Sequence, residues 1–146
     1  MYLGLLNEEK RELFLDICFC IASADGDYSA DEKVLIVAYQ KEMNTEYDPT
    51  ISKKEVSEII QLLNAMCTNK EKKIIIFETI GLALVDGNYD KTERTIIEQM
   101  AKTFEVKESY TKECEQLLEE YLKLQNRINQ TVLQTMEGII HGSIRF

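Results

Sequence analysis

Proline occurs once in this 146-residue chain, at Pro49, and glycine only six times. So few turn-formers argue against a turn-rich β architecture, and the many Glu, Lys, Leu and Ile residues favour helices instead. Positive charge is also short: 17 Lys and Arg against 26 Asp and Glu leave a formal net charge of −9. That balance argues against nucleic acid, which needs a basic surface for counterion release, and against anionic membrane surfaces. It suits a cation or a basic protein partner.

Long apolar runs are missing too, and the longest, such as Ile74 to Phe77, fall far short of a membrane span. The opening "MYLGLLNEEKRE" has no basic n-region, so no signal peptide is expected and a cytoplasmic location is. Histidine occurs once, at His141, where a capping or surface role is expected rather than catalysis. Cys18, Cys20, Cys67 and Cys114 form no disulfide framework and read as reduced thiols. "CFC" on a helix points its two thiols to different faces, which makes a structural zinc site improbable.

What the chain has is helical periodicity and one repeated motif. A chain of this length folds as one domain that buries about two-thirds of its unfolded surface. From Asn7, Leu13, Phe14, Ile17, Ile21 and Ala24 form a helical stripe. A second helix is expected from Ser29 to about Met43, with Leu35, Ile36, Tyr39 and Met43 on one face. Pro49 lies in a connection, and Ser52-Lys53-Lys54-Glu55 has the spacing of a capping box that opens a third helix through Ile59, Ile60, Leu63 and Met66. The fourth is expected over Asn69–Leu84 and the fifth over Asp90–Phe104, with Ile96, Ile97, Met100 and Phe104 as its stripe. A sixth carries Tyr110, Cys114, Leu117, Leu118 and Tyr121, and its spacing continues through Ile128, Val132, Met136 and Ile140. A break near "QNRINQ" is expected there, which sets off a C-terminal helix at about 126–141. The fold is therefore read as all-α: a compact bundle of six to seven helices in a single domain, 1–146.

The motif is "ADGDYSADEK", Ala24 to Lys33, and it returns as "VDGNYDKTER", Val85 to Arg94. Around it Ala22 to Gly26 lie over Ala83 to Gly87, and Glu55, Val56, Ile59 and Ile60 match Glu113, Cys114, Leu117 and Leu118 at a slightly shorter offset. Two pseudo-repeats of three helices follow, about 8–67 and 69–125, which would share one core.

Much of the motif is explained by folding alone. Asp-Gly stops a helix, Ser29-Ala30-Asp31-Glu32 is a capping box, and Asp90-Lys91-Thr92-Glu93 repeats it with Asp as the cap. Turning the chain does not require Asp25 or Asp86 to be acidic, however, and an Asp at a helix C-terminus meets the unfavourable end of the dipole. Asp25, Asp27, Asp31 and Glu32 repel one another unless something positive is near, and a hard cation is the simplest candidate. Ca²⁺ or Mg²⁺ is favoured over Zn²⁺, and no organic cofactor is indicated. An EF-hand is rejected: its sixth position should be Gly and is Ala30 or Lys91, and its twelfth should be Glu and is Ile36 or Ile97.

With both loops placed between helices, the chain resembles the tellurite-resistance TerB-like family, which also includes the N-terminal domain of some DnaJ-like co-chaperones. The resemblance covers about residues 8 to 125. It implies a compact helical fold with a clustered acidic surface that binds divalent metal. By position, Asp25 and Glu32 carry the first half's site and Asp86 and Glu93 the second's, with Asp27, Asp31 and Asp90 auxiliary. Asn88 stands where the first loop has Asp27, which weakens the second loop. Asp16 and Glu78 lie two or more turns upstream and are not expected as ligands. No His-Pro-Asp triplet of a J-domain is present. The resemblance thus implies a non-enzymatic metal-binding domain in a stress or metal-resistance pathway. The alternative is an interaction module whose acidic loops are only caps and turns, and whose acidic face or C-terminal helix docks a protein partner or a second copy.

Overall fold

The structure is a computed structural model that describes residues 1–26, 28–85 and 89–133. Six α-helices run through the described residues: α1 Glu8–Ala22, α2 Ala30–Glu42, α3 Val56–Met66, α4 Asn69–Leu84, α5 Lys91–Thr103 and α6 Glu108–Leu133. Short 3₁₀ turns at Leu3–Leu5 and Pro49–Ile51 complete the order, and no strand occurs among the described residues. Asp27, Asp86, Met136, Ile140 and His141 lie outside them.

Two helices are apolar nearly all round and form the centre. α1 buries Leu13, Phe14, Leu15, Ile17, Cys18, Ile21 and Ala22, and α4 buries Ile74, Ile75, Ile76, Ile80, Leu82 and Ala83. A helix without a polar face has to be surrounded, and these two are. α1 packs on α2, α3, α4 and α5, while α4 packs on α5 and α6 as well. Phe14 and Tyr39 meet edge to face at 5.3 Å, and the Tyr39 hydroxyl donates to the Glu78 carbonyl at 3.0 Å. α2 is thereby fixed to α4 through the core. All four cysteines are free, with Cys18, Cys67 and Cys114 buried.

The central helices also bury two acids. Asp16 accepts from the Tyr47 hydroxyl at 2.7 Å, and Glu78 takes the Met1 ammonium at 3.0 Å. Burial pushes the Asp16 carboxyl up despite that hydrogen bond, and burial with the Asp16 partner pushes Tyr47 up to about 12.

Two sequence expectations are corrected. The Ser52 capping box does not form: α3 begins at Val56 behind Glu55, which makes no side-chain cap. The cause is upstream, where Asp48 caps the Pro49–Ile51 turn and Ser52 ends it in extended backbone. The break near "QNRINQ" is also absent, since α6 runs unbroken to Leu133. That segment holds neither Gly nor Pro, and Gln and Arg are good helix formers, so nothing local stops the helix. One capping box was missed: Thr68 and Glu71 cap α4 reciprocally, and Glu71 also pairs with Lys10 at 2.9 Å.

Candidate functional site

The first acidic loop follows α1. Its chain turns at Ser23–Gly26, where the Gly26 amide donates to the Ser23 carbonyl at 3.0 Å and Gly26 takes φ +83°. That left-handed backbone is the reason for glycine here. Ser29 then caps α2: its hydroxyl accepts from the Glu32 amide at 3.1 Å, and the Glu32 Oε1 accepts from the Ser29 amide at 3.0 Å.

The second loop enters α5 in the same way. The Asp90 Oδ1 accepts from the Glu93 amide at 2.8 Å and from the Thr92 hydroxyl at 2.7 Å, while the Glu93 Oε1 accepts from the Asp90 amide at 3.3 Å. Both expected boxes at the acidic motifs are therefore present, and they bury Glu32 and Glu93 to 2% exposure each.

An aromatic residue pins each loop. Tyr28 packs edge to face on Phe19 at 5.4 Å, with the Lys33 ammonium 5.2 Å from its ring. Tyr89 holds the Arg94 guanidinium 4.0 Å from its ring, and Arg94 goes on to Glu115 of α6 at 3.1 Å. In both loops the Tyr stands just before the cap and takes the cation five residues on, which places the two chains alike around the acids.

The two loops meet. Asp25 of the first loop lies close enough to Asp90 of the second to act on its carboxyl. The Glu93 amide foremost, and then the Thr92 hydroxyl, hold the Asp90 carboxyl below the ordinary carboxylate value. Asp25 is exposed just past the end of α1, and Asp90 is half-buried at the start of α5. Sequence reasoning placed Asp25 and Asp90 in separate halves, and nothing in the linear pattern pairs them. Asp31 is exposed in the first turn of α2. Asp27 and Asp86, the remaining loop acids expected as ligands, lie outside the described residues. Among the described residues no three acidic, His or Cys side chains gather closely enough to hold an ion by themselves.

The buried acids Asp16 and Glu78 have partners of their own. A lone acid inside an apolar run, as in "IIIFETI", is the sequence signal that marks such a residue as buried.

Oxygen donors make up the site, a set that suits hard cations and not zinc. Two neighbouring carboxylates repel unless a proton or a cation lies between them.

Comparison with known proteins follows the same line. The family model for Tellurite resistance protein TerB matches residues 37–116, more than half of the chain. The match takes in the second acidic loop and begins past the first. The fold is similar to the crystal structure of a tellurite resistance protein from Nostoc punctiforme, with a TM-score of 0.63, 18% identity, and 89% of this chain and 84% of that one covered. No curated protein sequence matches the chain. Among the described residues no helix is long and apolar enough to cross a membrane.

Proposed function

This chain belongs to the TerB family, and on that footing we propose that it is a non-enzymatic domain that binds one hard divalent cation between its two Asp-Gly loops. The nearness of Asp25 to Asp90 supports the reading above all. It joins acids from the two loops, and one ion there neutralises both at once. Asp27 and Asp86 belong to the same loops by sequence and complete the donor set, with Asp31, Glu32 and Glu93 in the adjoining first turns. An acid held below its ordinary value stays ionised at neutral pH, which suits Asp90 to holding a cation and not to passing a proton. Ca²⁺ and Mg²⁺ fit such oxygen donors better than Zn²⁺. The family's description and the name of the similar structure support a place in resistance to tellurite or metal stress, and the acidic, reduced chain fits the cytoplasm.

Thermal melts after chelation, repeated with Ca²⁺, Mg²⁺, Mn²⁺ and Zn²⁺, test this. Free ion at ~100 times its dissociation constant adds about 2.7 kcal/mol, or roughly 5–10 °C for a domain of this size. The rise is expected with Ca²⁺ or Mg²⁺ and is expected to vanish in Asp25→Asn with Asp90→Asn. Asn caps a helix as well as Asp does, so the variant keeps α5 intact. A flat response to all four ions, or a rise that survives in the double variant, overturns the proposal and leaves the acids as caps and turns.

A further inference from the structure

One flank of α6, beside the face that packs on the bundle, carries a second pattern. α6 spans 26 residues against 16 for its neighbour α4. At 1.5 Å per residue that is about 39 Å against about 24 Å, so α6 outruns the helix it packs on. The buried stripe Thr111, Cys114, Leu118 and Gln125 faces the bundle. Beside it runs another stripe, Leu117, Tyr121, Leu124 and Ile128, at steps of four, three and four, the spacing of a coiled-coil seam. Leu117 and Leu124 are each 52% exposed, and Val132 beyond them is 65% exposed. Tyr121 and Ile128 between them are half-buried, so the flank offers apolar surface at seam spacing that this chain leaves partly uncovered.

Charge selects the occupant. Glu120 and Arg127 are exposed, flank the stripe on one edge, and stand one heptad apart. Neither pairs with another charge among the described residues. We propose that α6 is the seam of an antiparallel homodimer with its two-fold axis at Leu124. Antiparallel α6 helices centred there lay Leu124 on its own copy, Tyr121 near the second copy's Ile128, and Leu117 near its Val132. Glu120 then faces the second copy's Arg127, and the two-fold makes every contact twice. A parallel pairing sets Glu120 opposite Gln125 and Arg127 opposite Val132, which leaves both charges without partners. The surface is thus complementary to itself in one direction only.

Sedimentation equilibrium of the whole chain is the test, read against its 16.9 kDa mass. A dimer is expected. Leu124→Glu sets two like charges at the axis and should weaken association ~100-fold. Because Leu124 is exposed, its helicity and melting temperature when monomeric should match those of monomeric wild type. Glu120→Arg should weaken the dimer, and adding Arg127→Glu should restore it, which an unspecific apolar contact would not do. A wild-type chain that is monomeric at 100 µM overturns the proposal, including the case where another segment covers the stripe. So does a dimer that ignores all three variants, and so does a double swap that fails to rescue.

Discussion

Single residues at helix ends carry several separable loads. Glu105 takes φ +58° just past α5, where its own amide and that of Val106 close the helix end on Lys102 and Ala101 at 3.1 and 2.9 Å. Asn44 does the same past α2 at φ +52°, but Asn tolerates the left-handed region and Glu does not. Glu105→Gly is therefore expected to raise stability by about 0.5–1 kcal/mol, read from a denaturant melt. Asp90 carries a charge-dependent load. Its folded value lies below the ordinary 3.8, so its contribution is present above that value and is lost as pH falls through the folded one. Asp90→Asn should flatten the acid limb of the stability curve below about pH 4 relative to wild type, whereas Asp90→Ala should cost about 1 kcal/mol at neutral pH through loss of the cap. An unchanged acid limb in the Asn variant would assign that loss to other carboxylates.

At the scale of elements, identical spacing has different outcomes. Ser29-x-x-Glu32 forms its box, while Ser52-x-x-Glu55 does not, because the turn capped by Asp48 has already set the backbone at Ser52. Ser29→Ala is expected to cost about 1 kcal/mol and Ser52→Ala less than about 0.5 kcal/mol, which paired thermal melts would separate. Helix positions were legible in the sequence wherever the apolar stripe was strong, as in α4 over Asn69–Leu84. The continuity of α6 was not, because the polar run "QNRINQ" with its two Asn residues looks like a connection, yet it holds no Gly or Pro and its Gln and Arg residues sustain the helix. The capping boxes of both acidic loops could be read from local chemistry alone, since each involves residues three apart.

The whole molecule decides what local chemistry cannot. Asp25 and Asp90 stand sixty-five positions apart in the chain, and their meeting depends on α1 packing against α4 and α5 in the core. The sequence supplied two acidic loops and the kinds of ion they favour. Leu15, Ile17, Cys18, Ile75, Ile76 and Ile80 are buried in that core. The nearness of Asp25 to Asp90 predicts that the loops respond as one unit, and that an ion bound there ties the start of α5 to the end of α1. Titration of the labelled chain with Ca²⁺ or Mg²⁺, followed by amide NMR at Gly26 and Thr92, tests that claim directly. Shifts at both amides on one saturable isotherm, abolished by Asp25→Asn, are the predicted result. Shifts confined to one loop, two distinct isotherms, or no shift at either amide would contradict a single shared site.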